Sequence, residues 1–251
     1  MGYSIEDFAL DLRKSVAPPN HIWVGSGRGT CAPLADTVMG VRGFYGPPVT
    51  APEATLMVSL RLNGHMAEDT GNKGKDDCGL LFAGAEWRPD RIERRGTYHY
   101  RTEAGLLSVG VTSRLVPLRD LPGFVLEVRV ENRTNGDLTV EVLPKLDPGA
   151  MDIVPLGVWE FTPPRPAAGA AEPAGADFWE NTCLRMTLIR EQEGDGTLGP
   201  HGTAAFRFGA VITEAGADAH LPGGLRAAME ETFTHWRRTL DTVNANVPEI
   251  H

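Results

Sequence analysis

The sequence is poor in the features that mark several large classes of protein. Its three cysteines, Cys31, Cys78 and Cys183, stand far apart and form no Cys-x-x-Cys pair. This spacing argues against a disulfide framework or a zinc site. The first 20 residues lack a basic start followed by an apolar stretch, and no apolar run approaches the length of about 18 residues that a membrane helix needs. We therefore expect a soluble, cytoplasmic protein that does not enter a membrane.

Positive charge is also scarce. The formal net charge is −9, and of the 24 basic residues only Lys14, Lys73, Lys75 and Lys145 are lysines. Nucleic acids and anionic membranes are bound through a basic face, so neither is an expected partner. A neutral or cationic ligand fits this balance better. The preference for arginine, together with abundant alanine, glycine and proline, is typical of bacterial proteins from GC-rich genomes.

The chain does contain many short segments in which apolar and polar residues alternate, which is the pattern of half-buried strands. Strands are predicted over residues 56–62, 91–101, 106–115, 124–130, 138–143, 182–190 and 203–213. The dipeptide Asn135-Gly136 predicts a hairpin that pairs 124–130 with 138–143, because Asn-Gly tolerates the positive φ of hairpin turns. Strands at short intervals predict a mainly β fold, a large antiparallel β-sandwich.

Two segments have helical periodicity instead. Apolar residues at helical spacing over residues 3–16 predict a short N-terminal helix. From residue 225 an apolar stripe predicts an amphipathic helix that ends before Pro248; its members are Leu225, Met229, Phe233, Trp236, Leu240 and Val243. We expect two parts, a sandwich over 1–223 and a connector helix over 224–247. The apolar face could pack on the sandwich, on a separate domain, or on a second copy of the chain.

The order of these segments resembles a known family. The stretches 112–124, 126–132 and 143–147, followed by the helix and the Val247-Pro248 element, are similar to the N-terminal β-sandwich of glycoside hydrolases with an (α/α)6 barrel. That group includes processing α-glucosidases, trehalases and glycogen-debranching-type enzymes. The resemblance implies a non-catalytic sandwich that shapes the substrate cleft and packs on a catalytic barrel domain or subunit. In such enzymes the barrel carries the catalytic carboxylates, and this chain stops at His251, so no residue is assigned as catalytic.

Five residues are candidates for contact with an oligosaccharide or glycoside. Asp69, Lys73 and Asp77 lie in a charged, glycine-containing stretch that is typical of an exposed loop and could reach a substrate cleft. Trp87 and Trp159 lie beside irregular segments, and an indole ring packs well on the apolar face of a pyranose. His65 and Asp69 could bind a metal, but no third ligand is evident. We therefore expect neither a metal nor a cofactor.

Two other functions remain open from the sequence. An independent carbohydrate-binding module would use the tryptophans and the acidic charge. A small sugar epimerase would need a histidine and a carboxylate that face each other across a cleft, for instance His99 with Glu103 or His65 with Glu68. Turnover by the isolated chain would distinguish the enzyme from the two binding roles.

Overall fold

The structure is a computed structural model that describes residues 2–12, 23–25, 29–35, 37–46, 49–67, 69, 78–102, 105–149, 151–153, 184–214 and 217–246. The described part consists of two antiparallel sheets, one long helix and a short 3₁₀ turn. This confirms the predicted mainly β fold class. In chain order the strands are β1 (Leu10–Asp11), β2 (Val24–Gly25), β3 (Thr30–Pro33), β4 (Val41–Gly46), β5 (Val49–Leu62), β6 (His65–Ala67), β7 (Cys78–Arg88), β8 (Arg91–Thr102), β9 (Gly105–Pro117), β10 (Gly123–Asn132), β11 (Leu138–Asp147), β12 (Asp152–Ile153), β13 (Leu184–Glu193), β14 (Thr197–Leu198) and β15 (Thr203–Glu214).

The strands form two layers. One sheet has seven strands in the order β1-β7-β8-β9-β10-β15-β13. The other runs β14-β11-β5-β4-β3-β2, with β6 and β12 also paired to β5. Side chains alternate between the two faces of each strand, so every second residue points into the space between the sheets. Leu56, Val58 and Leu60 from one sheet and Leu126 and Val128 from the other are fully buried in one core cluster.

The predicted hairpin at Asn135-Gly136 is wrong. Strand β10 pairs with β9 and β15, whereas β11 pairs with β5 and β14 in the other sheet. The chain therefore crosses between the layers at this turn. Asn132 organises the crossing, because it is fully buried and its Nδ2 atom lies 2.7 Å from the carbonyl oxygen of Gly136 and 3.1 Å from that of Leu198.

The N-terminal helix is shorter than predicted. A single 3₁₀ turn spans Ile5–Phe8, and Ala9 then takes an extended conformation. Leu10 and Asp11 follow as an edge strand on β7. Part of the predicted helix, residues 13–16, lies outside the described residues. The apolar spacing that predicted a helix thus belongs to a turn and a strand.

The C-terminal helix is confirmed and begins and ends close to the predicted residues. Helix α1 spans Gly224–Asn246. Leu225 and Met229 pack against Val116, Val125 and Val211 on the outer face of the seven-stranded sheet. Most of the helix's apolar stripe is therefore covered by the same chain. The division into 1–223 and 224–247 stays a prediction.

Further contacts hold the helix along its length. Its first turn is capped by Glu191, whose Oε2 atom accepts a hydrogen bond from the Leu225 amide at 2.9 Å. Thr232 donates to the Pro117 carbonyl at 2.9 Å. At the far end the Asn244 side chain bonds the backbone N–H and carbonyl of Tyr3 at 2.7 and 2.8 Å. The helix thus joins the sheet face to the N-terminal segment.

Candidate functional site

A row of charged residues crosses the outer face of the seven-stranded sheet. Each member is the register partner of the next across neighbouring strands, from β1 to β13. The members are Asp11, Glu86, Glu93, Arg114, Glu127, Arg207 and Glu191. We call these seven residues the charged row. It lies beside the apolar strip that helix α1 covers.

The middle of the charged row is buried. Glu127 and Arg207 are each only 3% exposed, and two Arg207 nitrogens, Nε and Nη2, lie 2.8 Å from Glu127 Oε2. Arg207 also lies 3.1 Å from Glu191 and 2.7 Å from Glu193. Buried ions need such partners, because removing charge from water without compensation costs several kcal/mol per ion. Arg207 thus has three carboxylate partners supplied by neighbouring strands of the sheet.

Arginine partners lower the pKa values of Glu93 in the charged row and of Glu193 beside it. Burial alone would raise the pKa of Glu93, but hydrogen bonds and charge from Arg95 and Arg114 lower it below its ordinary value. Hydrogen bonding to Arg207 lowers the pKa of Glu193. Both carboxyls are therefore ionised at neutral pH. Neither suits a general acid, which must hold a proton near the working pH.

A cleft of about 140 Å³ lies between the charged row and helix α1. Its lining is mostly ionic; the members are Arg114, Glu127, Arg129, Glu193, Arg207, Arg226, Met229, Glu230 and Phe233. Each of its three carboxylates forms an ion pair with an arginine, at 2.8 Å for Glu127, 2.7 Å for Glu193 and 3.6 Å for Glu230. The cleft is charged, and each of its carboxylates has an arginine partner.

Asp69 is buried rather than part of an exposed loop, which differs from the expectation for its stretch. Only 2% of the residue is exposed. Its two carboxylate oxygens accept hydrogen bonds from the backbone amides of Val38 and Met39 at 3.2 and 2.5 Å. Desolvation raises the pKa of Asp69, while these hydrogen bonds and the charge of Arg94 act in the opposite direction. Asp69 thus anchors the 37–40 turn, and its role as a sugar ligand stays a prediction.

Arg94 lies in the same buried region. It is 1% exposed, and its Nη1 atom donates to the carbonyl oxygens of Thr37 at 3.1 Å and Gly40 at 2.5 Å. Burial lowers the pKa of Arg94 to about 10, while the nearby carboxylate of Asp69 acts in the opposite direction. The side chain stays charged at neutral pH. Arg94 and Asp69 therefore hold the same turn from two sides.

The indole ring of Trp87 has a packing role. The ring is partly buried against the core, and Nε1 donates to the Trp23 carbonyl at 3.0 Å. Trp236 on helix α1 donates in the same way to the Gly25 carbonyl at 3.3 Å. Two indoles therefore fix the short β2 segment. Stacking of a sugar on Trp87 stays a prediction.

The other candidate residues, Lys73, Asp77 and Trp159, lie outside the described residues. The same holds for Glu103 and Glu68, the carboxylates of the two epimerase pairs. Of the predicted contact residues, the structure describes only Asp69, which is bonded to the amides of Val38 and Met39, and Trp87, which is bonded to the Trp23 carbonyl. In the part of the chain that it describes, no group of three or more His, Cys, Asp or Glu side chains could hold a metal ion.

The charged row escaped the sequence reasoning. Its members point outward from neighbouring strands, at positions where charged residues are common. Only the strand pairing shows that they are aligned across the sheet. The opposite charges of Arg114 and Glu127, at outward positions of two adjacent strands, could have indicated a cross-strand ion pair. Strand order was needed to use this signal.

Comparison with known proteins adds no assignment: no protein-family model and no curated protein matches this chain. Among the described residues, no helix has the length and apolar character required to cross a membrane.

Proposed function

We propose that this chain is a non-catalytic β-sandwich of a carbohydrate-active protein, of the kind that supports an (α/α)6-barrel glycoside hydrolase. The observation that carries the proposal is the cleft beside the charged row, in which each carboxylate has an arginine partner. Glycoside cleavage uses two carboxyl groups, one of which holds a proton through a raised pKa. Here the cleft carboxylates Glu127, Glu193 and Glu230 are ion-paired with arginines.

The two described carboxyls with raised pKa do not change this conclusion. Burial raises the pKa of Asp69 and of Asp90. Asp69 is committed to backbone amides, and Asp90 accepts a hydrogen bond from Arg91 at 2.7 Å in the turn between β7 and β8. Neither lines the cleft. Their burial fits structural roles.

An exposed apolar patch supports a partner domain. Tyr3, Phe8, Leu10 and Val243 are between 40% and 56% exposed. The rings of Tyr3 and Phe8 contact each other with centroids 5.9 Å apart, and Tyr3 is bonded to Asn244 beside Val243. The patch lies at the end of helix α1, and under this proposal it is the surface on which a barrel domain would pack. Contiguous exposed apolar residues commonly mark an interface.

An independent carbohydrate-binding module is the second candidate. Helix α1 packs on its own sheet, so the chain does not need a partner to cover most of its apolar stripe. The epimerase alternative has no described histidine–carboxylate pair to support it. A cytoplasmic setting belongs to the proposal too and is compatible with the free, buried thiol of Cys31.

The test is turnover of aryl-glycosides by the purified chain between about pH 4 and pH 8, the range in which carboxyls and histidines titrate. We expect no release of the aryl group above the rate without protein. Turnover above that rate would overturn the proposal, and its loss in the Asp90→Asn variant would show that it comes from this chain. A barrel domain encoded next to this chain, and bound less tightly after Phe8→Ser, would support it.

A further inference from the structure

An aromatic corner lies on the eight-stranded sheet at β2 and β4. The rings of Trp23 and Tyr45 meet edge to face, with centroids 4.9 Å apart and an interplanar angle of 72°. Tyr45 is 39% exposed and Trp23 is half-buried. In an edge-to-face contact each partner leaves one ring face of the pair uncovered, and the partial exposure of both residues makes aromatic surface available to a ligand.

The backbone under the corner is specialised. Strand β4 has a bulge between Arg42 and Phe44, and Gly43 within it has a φ of 72°. A Cβ atom at Gly43 would lie 3.1 Å from the Trp23 ring, so a larger residue would displace the indole and strain the backbone. Bulges re-aim side chains and are common beside binding sites. This one leaves Arg42 and Tyr45 exposed on either side of two buried residues.

Hydrogen bonds to its backbone hold Trp23 in position. Its carbonyl oxygen accepts the Trp87 indole N–H at 3.0 Å, and the carbonyl of Gly25 accepts that of Trp236 at 3.3 Å. A surface held by its own backbone contacts loses little freedom on binding a ligand, so more of the contact energy appears as affinity. The corner is therefore preorganised.

We propose that this corner binds one pyranose ring of a neutral oligosaccharide, with the sugar's apolar face on the aromatic surface. The proposal rests on the carbohydrate function above and names the surface that would serve it. Polar groups are available on the same two strands: the Tyr45 hydroxyl and the exposed Arg42 on β4, and Thr55, the register partner of Arg42, on β5. A sugar needs both an apolar face and surrounding donors and acceptors. The net charge of −9 favours a neutral ligand over an anionic one.

The test is a calorimetric titration of the whole chain with maltoheptaose, cellohexaose and laminarihexaose, which present pyranoses in different linkages. We expect saturable binding of at least one of them. Tyr45→Ala should weaken it about tenfold, because the loss of an aromatic contact is worth roughly one factor of ten in Kd. Tyr45→Phe should retain most of the affinity, since it keeps the ring.

One control variant and one further test variant complete the experiment. Tyr3→Ala removes an exposed ring of the same type, 56% exposed, at another surface and should leave the Kd unchanged. Arg42→Ala should weaken binding without disturbing the fold, so the proposal does not depend on a Trp23 variant that could fail to fold.

Absence of saturable binding to all three sugars, or equal affinity of Tyr45→Ala and the wild type, would overturn the site. Tighter binding of a decaproline peptide than of any sugar would also overturn it, since proline-rich peptides use aromatic surfaces without sugar chemistry. These outcomes leave the non-catalytic function intact. Aryl-glycoside turnover would instead overturn that function and leave the binding site untouched.

Discussion

Asp69 and Arg94 illustrate how a charged side chain in a sandwich core can serve the backbone. Asp69 satisfies the amides of Val38 and Met39, and Arg94 satisfies the carbonyls of Thr37 and Gly40. Buried backbone groups without partners are costly, so the hydrogen bonds of both side chains contribute to the turn they hold. A charged stretch in the sequence therefore need not be a solvated loop.

Replacing Asp69 with asparagine should destabilise the protein by about 2 kcal/mol, because an amide has one acceptor oxygen and one buried N–H would lose its partner. The control is Asp195→Asn, an exposed carboxyl that accepts one bond, from the Thr197 amide at 2.9 Å, and that should change stability little. Urea denaturation measures both. Equal losses for the two variants would contradict the assigned role.

The pH dependence of that loss has a defined sign. Burial raises the pKa of Asp69 in the folded protein. Its contribution to stability is therefore fully present below the unfolded value of about 3.9 and is lost as the pH rises through the folded pKa. The stability gap between wild type and Asp69→Asn should shrink as the pH rises from about 4 to 7. Urea denaturation curves across this range measure it, and a gap that widens would contradict the assignment.

Among the secondary-structure elements, helix α1 has the best-defined attachment. Glu191 caps its first turn and also pairs with Arg207, so it links the charged row to the helix. Its neighbour on the same face, Glu193, pairs with Arg207 and Arg226 but caps nothing. Glu193 is therefore a suitable control position for testing the helix cap formed by Glu191.

Glu191→Ala should lower the free energy of unfolding by about 1 to 2 kcal/mol, because a helix cap is lost. Glu193→Ala, at a position 49% exposed, should cost less than about 1 kcal/mol. Urea denaturation with far-ultraviolet circular dichroism at the helix band reads both. A greater loss for Glu193→Ala would show that the cap is unimportant.

The strands and helices differ in how well the sequence predicts them. Local alternation located the segments of β5, β8, β9, β10, β13 and β15, and helical spacing located α1 to within a few residues. Pairing was not predictable in the same way. Asn135-Gly136 indicated a hairpin, but Asn132 is buried at a crossing where β10 and β11 belong to different sheets. Which strands meet depends on core contacts far apart in sequence.

The molecule as a whole is expected to unfold as one unit, because helix α1 covers an apolar strip of the sheet. Met229→Ala, at a position 4% exposed, should lower stability by about 2 to 4 kcal/mol. Val243→Ala, at a position 40% exposed on the same helix, is the control and should have little effect. In the Met229→Ala variant, the unfolding midpoints measured by tryptophan fluorescence and by circular dichroism should fall by the same amount. If the β-sheet circular dichroism signal of this variant is lost at the same midpoint as in the wild type, the helix is a separate connector.

The candidate site was the least predictable feature. The charged row needs strand order, and the Trp23–Tyr45 corner joins the residue before β2 to one on β4, two strands that β3 separates in the sheet. The sequence pointed to tryptophans as a class, but burial and hydrogen bonding distinguish Trp87, which packs on the core, from Trp23, which lies beside an exposed tyrosine.

The most direct test of the central claim is whether the chain converts a sugar that it holds. The oligosaccharide that binds best is kept at saturation with the purified chain, and its anomeric protons are followed by nuclear magnetic resonance. The account predicts perturbed protein resonances and an unchanged sugar spectrum. New anomeric signals, from a cleaved linkage or an inverted centre, would contradict it and make this chain an enzyme.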